Sequence, residues 1–90
     1  MKRLHAIVTG RVQGVGYRAA VQKRIIFLNV TGYIKNLRNG TVEIVAEGEQ
    51  TVLQEVLEIA YDGSFWGNVD HIETNYCEAT GEFKDFSIAH

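Results

Sequence analysis

Residues 9–18, Thr9-Gly10-Arg11-Val12-Gln13-Gly14-Val15-Gly16-Tyr17-Arg18, set three glycines between two apolar runs of different period. Before them, Leu4, Ala6 and Val8 alternate with His5, Ile7 and Thr9, the period of a strand. After them, Tyr17, Val21, Ile25 and Leu28 recur at a spacing near four with Ala20 alongside, leaving Gln22, Lys23 and Asn29 for solvent. That is the stripe of a helix. A strand that turns through glycines into a helix aims unsatisfied N–H groups and a positive dipole end at one point, and glycine lets the backbone close around it. Arginines bracket the turn on both sides, so the expected ligand is an anion.

The pattern continues outward from this unit. Thr31 to Leu37 reads as a second strand, and Leu37-Arg38-Asn39-Gly40 as a turn, since Asn-Gly tolerates positive φ at both positions. Thr41 to Glu47 returns as a third strand, with Val42, Ile44 and Ala46 alternating with Glu43, Val45 and Glu47. Leu53, Val56, Leu57 and Ala60 mark a second helix with Gly63 as its stop. Val69 to Cys77 alternates as a fourth strand, and Phe86-Ser87-Ile88 is short enough to be a fifth. The order β-α-β-β-α-β predicts an α+β fold of the ferredoxin-like, split βαβ kind. Its sheet is expected to be antiparallel, with both helices on one face. The first two strands then run the same way, because a crossover helix joins them, and their ends emerge at one edge. Asn36 shares a pleat face with Ile34. If Ile34 points into the helix-covered core, Asn36 points toward the start of the first helix, where Arg18 stands.

Ninety residues, 46% of them hydrophobic, are expected to form a single domain over 1–90 with one modest core. No apolar run approaches a membrane span, and the short apolar stretch after Lys2 and Arg3 lacks a small-residue cleavage site. The single Cys77 excludes an internal disulfide framework and favours a reducing, cytoplasmic setting; it is expected to be a small, partly buried strand residue. No long apolar strip demands a partner, so a monomer is expected. The net charge of −2 conceals a division. Residues 1–42 carry Lys2, Arg3, Arg11, Arg18, Lys23, Arg24, Lys35 and Arg38 and no acid, while residues 43–90 carry all eleven acids and only Lys84 as a base. Either the basic half meets an anion or the two halves pair with each other.

Several function classes fail on the residues. Gly14-Val15-Gly16-Tyr17-Arg18-Ala19 matches G-x-G-x-x-A, but the next acid is Glu43, and the chain is too short for two mononucleotide-binding halves. No Gly-Lys-Ser/Thr ends the loop, so it is not an NTPase P-loop. An RNA recognition motif shares the element order but stacks bases on aromatics of its first and third strands; here those strands read LHAIVT and TVEIVAE. His5, His71, His90 and Cys77 are scattered without metal-ligand spacing. His71 is expected to be a surface or sheet-packing residue, and Trp66, near Phe65, hydrophobic cover beneath a loop. Arg11 is assigned to surface structure or to general attraction of an anion. Neither metal nor cofactor, nucleic acid nor membrane is expected. Three clustered glycines also suit a plain tight connection. Their convergence with a guanidinium, whose planar fork grips two phosphate oxygens at once, and with an amide at the same edge favours a phosphate site.

Gly10 to Arg18, taken with Thr31-Gly32-Tyr33-Ile34-Lys35-Asn36-Leu37-Arg38-Asn39-Gly40-Thr41-Val42-Glu43, resembles the acylphosphatase family, and the likeness covers nearly the whole chain. The resemblance implies hydrolysis of small-molecule acyl phosphates to a carboxylate and phosphate, without metal or cofactor. It also implies that Arg18 binds the phosphate, that Asn36 orients the attacking water, and that the backbone of Gln13, Gly14, Val15, Gly16, Tyr17 and Arg18 forms the phosphate cradle. The chain departs from the family where a Gly-Pro turn often follows the second helix, reading Gly63-Ser64-Phe65-Trp66-Gly67, and where an Arg-Tyr pair often closes the chain, reading Ala89-His90.

Overall fold

In a computed structural model of the chain, which describes residues 1–63 and 66–90, seven elements follow in the order β1 (Lys2–Arg11), α1 (Tyr17–Ile25), β2 (Thr31–Asn36), β3 (Val42–Gly48), α2 (Gln50–Asp62), β4 (Asn68–Glu78) and β5 (Phe86–Ala89). They form one five-stranded sheet ordered β4-β1-β3-β2-β5. β3 lies between β1 and β2 and pairs antiparallel with both, which makes β1 and β2 co-directional as the crossover requires. The α+β, split βαβ architecture is thereby present.

The core is the set of alternating positions on one sheet face. Leu4, Ala6, Val8, Ile34, Val42, Ile44 and Ala46 are fully buried there against Tyr17, Val21, Ile25, Leu53, Val56 and Ala60 of the helices. Burying each large aliphatic chain among them stabilises the fold by roughly 1.5–3 kcal/mol. α1 stops at Ile25, one turn before the end of its apolar stripe; Leu28 N–H donates to Ile25 O at 2.8 Å in the turn that follows, and the Leu28 side chain still packs on the core.

Three expectations are corrected. The sheet is mixed and not antiparallel throughout, because β5 runs parallel to β2, with Ile34 opposite Ile88 and Lys35 opposite Ala89. The reason is a long crossing: the chain leaves β4 beside Lys2, passes over the open sheet face, and enters the far edge at Phe86. Cys77 is exposed, since β4 is an edge strand and 77 falls on its uncovered side. Trp66 is 72% exposed in the turn before β4 rather than buried as hydrophobic cover; the companion Phe65 lies outside the described residues. In β4 a bulge sets Thr9 opposite His71 but Gly10 opposite Val69. The extra residue resets the alternation, so Val69 and Ile72, an odd number of positions apart, both pack on the core. His71 is a surface residue.

The crossing segment is pinned by Glu47, which is 4% exposed on the open face. Its carboxylate accepts hydrogen bonds from Thr80 N (3.0 Å), Gly81 N (2.9 Å), Thr80 Oγ1 (3.1 Å) and Arg3 Nε (2.7 Å). Arg3 also reaches Thr80 and Glu82 and lies over the Phe83 ring, which meets Tyr33 edge-on. Burial alone would push the Glu47 carboxyl up, but these donors outweigh it and hold its pKa at about 2, below the ordinary 4.5.

Candidate active site

The glycine turn after β1 is built on left-handed backbone. Gly14 and Gly16 have φ of 73° and 75°, where a side chain is strained, and among the described residues no atom lies within 4 Å of a Cβ added at either. Glycine is required there by conformation rather than by crowding, and the space above the turn stays open. Gly16 is also the N-cap of α1 and offers no capping side chain. The first N–H groups of a helix have no intrahelical acceptor, so those at the start of α1 depend on a partner from elsewhere.

A cavity of about 300 Å³ opens over this turn. Its walls come from three places: Val12, Gly14, Gly16, Tyr17, Arg18 and Ala19 from the turn and the start of α1, Asn36 from the end of β2, and Ile88 and His90 from the end of β5. Among the described residues, no acidic side chain lines it. Arg18 and Asn36 therefore face one space, as the shared pleat face of Ile34 and Asn36 predicts. Of the expected cradle residues, Gly14, Gly16, Tyr17 and Arg18 border the cavity, while Gln13 and Val15 do not. Val15 packs toward the core. The Gln13 amide turns to the β2–β3 connection and donates from Nε2 to Leu37 O and Thr41 O, both at 2.8 Å. The turn that carries Arg18 is thus tied to the hairpin that carries Asn36.

The two polar side chains are held differently. Arg18 Nη1 donates to Ala89 O at 3.1 Å, which fixes the guanidinium by one of its five N–H groups and leaves the others for a ligand. Asn36 Oδ1 is buried and accepts no hydrogen bond from the described residues. A buried acceptor without a donor costs about 1–3 kcal/mol, a cost that a bound water or ligand donating to it removes. Beneath them, Tyr17 is fully buried and its hydroxyl donates to Ala60 O at 2.6 Å; burial raises its pKa, so it serves as a neutral packing residue under the turn. Arg11 is exposed at the end of β1 and does not line the cavity. Among the described residues, no group of three His, Cys, Asp or Glu side chains is placed to hold a metal ion, and no helix is long and apolar enough to cross a membrane.

Ile88 and His90 are cavity residues that the sequence pattern does not single out. Their place follows from the parallel pairing of β5 with β2, and a four-residue strand reached over a crossing segment has no local signature.

Comparison with known proteins places this arrangement. A family model described as acylphosphatase matches residues 4–88. The acylphosphatase of Thermus thermophilus is 44% identical over 88 residues, covering 98% of this chain and 99% of the relative. That of Caldanaerobacter subterraneus is 41% identical over 87 residues, 97% of both chains. The crystal structure of acylphosphatase from Bacillus subtilis superposes with a TM-score of 0.95 at 37% identity, with 100% of each chain covered. The match runs through the glycine turn, the hairpin and both edge strands, and by it this chain belongs to the acylphosphatase family of hydrolases.

Proposed function

We propose that the protein hydrolyses acyl phosphates at this cavity, splitting the carboxyl–phosphate bond to give a carboxylate and phosphate without a metal. The observation that carries the proposal is the meeting of the Arg18 guanidinium and the Asn36 amide over a turn that only glycine can make. The phosphoryl group sits on the backbone of residues 13–18, with two of its oxygens gripped by the free N–H groups of Arg18. Asn36 Oδ1 accepts a hydrogen bond from the attacking water and holds it in line with the bond that breaks.

The chemistry needs little more. The departing carboxylate is the conjugate base of an acid of pKa about 4, so it leaves without a general acid. The water need not be deprotonated before it attacks; an oxygen of the phosphoryl group can take its proton as the new bond forms. Catalysis then rests on position and on charge stabilisation of the phosphoryl oxygens. The test is hydrolysis of benzoyl phosphate in EDTA. Turnover undiminished by the chelator is expected. A folded protein that binds inorganic phosphate but does not turn benzoyl phosphate over would instead be a non-catalytic anion-binding module on the same fold.

A further inference from the structure

Gln13 opens the glycine turn, but its side chain leaves the cavity. It follows Val12, which is buried in the core, and its half-buried amide turns to the β2–β3 hairpin. Nε2 donates to Leu37 O and Thr41 O, both at 2.8 Å. Both acceptors are carbonyl oxygens, so only the NH2 end of the amide can face them, and both of its hydrogens are used. The same two carbonyls close the hairpin: Leu37 N donates to Thr41 O at 2.9 Å and Gly40 N to Leu37 O at 3.2 Å. Leu37 directly follows Asn36, and Asn36 stands opposite Val42, the residue after Thr41. One amide thus clamps the strand ends that carry the buried Asn36 Oδ1 to the start of the turn that leads to Arg18.

Resting on the proposed acyl phosphate hydrolysis, we propose that Gln13 is a positioning residue. Its side chain sets the separation between the phosphate cradle and Asn36, and with it the alignment of the attacking water on phosphorus. Gln13 does not line the cavity, so its effect passes through the hairpin. The hairpin does not need the amide to stay closed. Each carbonyl keeps its backbone donor, and Asn39 Oδ1 accepts from Thr41 N at 3.1 Å and Thr41 Oγ1 at 2.6 Å within the turn. Phosphate binding is secured separately, since Arg18 is held by Ala89 O and the turn takes its shape from Gly14 and Gly16. What the amide fixes is the placement of one part against the other. Attack is sensitive to that placement, because a misplacement of about 1 Å can cost ~100-fold in rate.

The test is a double-mutant cycle of Gln13→Ala with Asn36→Ala, assayed on benzoyl phosphate. In folded Gln13→Ala, kcat should fall roughly tenfold, part of the loss that a full 1 Å shift would bring. KM and the inhibition constant of inorganic phosphate should stay within about twofold. Without Asn36, the same substitution should change the residual kcat by less than about twofold, because the group it positions is gone. Gln13→Glu keeps the length but sets a carboxylate with no hydrogen against two carbonyl oxygens, so its kcat should fall below that of Gln13→Ala. Parental kcat in Gln13→Ala would overturn the proposal, as would a tenfold loss that persists without Asn36. A raised phosphate inhibition constant at unchanged kcat would overturn it too, by assigning the amide to the cradle. So would a Gln13→Ala protein that does not fold, which would make the tie a structural one. An inactive parent would overturn the hydrolysis itself, and this role with it.

Discussion

Arg18 does two things at once: one N–H holds it to the backbone of β5, and the rest of its fork faces the cavity. A lysine could keep the charge but offers a single ammonium group, which must choose between Ala89 O and a phosphoryl oxygen and cannot grip two oxygens in one plane. Arg18→Lys should therefore fold normally and lose at least about 100-fold in kcat/KM for benzoyl phosphate, roughly 3 kcal/mol of transition-state stabilisation. Near-parental kcat/KM would show that charge alone suffices and would remove the bidentate role. Asn36 was legible in the sequence for a related reason. The period of two carries it onto the face of Ile34, and the crossover puts the ends of β1 and β2 at one edge. Its partnerless Oδ1 was not legible, because burial of one atom depends on packing from three separate elements.

Among the elements, those read correctly are those whose pattern is local: the alternation of Val42, Ile44 and Ala46, the helix stripe of Leu53, Val56 and Ala60, and the Asn39-Gly40 turn. The bulge in β4 and the parallel β5 escape such reading. Both are set by pairing with strands far away in sequence, the second through a segment whose anchors are Arg3 and Glu47. That anchor gives a pH dependence of defined sign. The Glu47 carboxyl titrates at about 2 in the fold against an ordinary 4.5, so its contribution is complete above pH 4.5 and is lost as the pH falls toward 2. Urea unfolding should show Glu47→Gln less stable than the parent by roughly 2 kcal/mol at pH 7, with the gap closing between pH 4.5 and 2. A gap that stayed constant with pH would mean that the carboxylate charge does not hold the crossing segment. Because that segment delivers Ala89 to Arg18, the variant should lose activity along with stability near its unfolding midpoint.

Over the whole molecule, the separation of charge along the chain resolves in part into pairing between the two halves. Lys2 pairs with Glu78, Arg3 with Glu47 and Glu82, and Arg24 with Asp62, each a cation of the first half meeting an acid of the second. Arg18 lines the cavity, and among the described residues it has no ion pair and no acidic side chain lines that space. The fold thus serves as a junction: a turn after β1, the end of β2 and the end of β5 meet at one edge, tied by Gln13 to one side and by Ala89 to the other. If binding and attack are divided between Arg18 and Asn36, as proposed, Asn36→Ala separates the two. In that variant, with circular dichroism unchanged, kcat for benzoyl phosphate should fall by at least about 100-fold while inorganic phosphate inhibits as it does the parent. Parental kcat in the folded variant, or a loss confined to phosphate affinity, would contradict the division and place the water elsewhere.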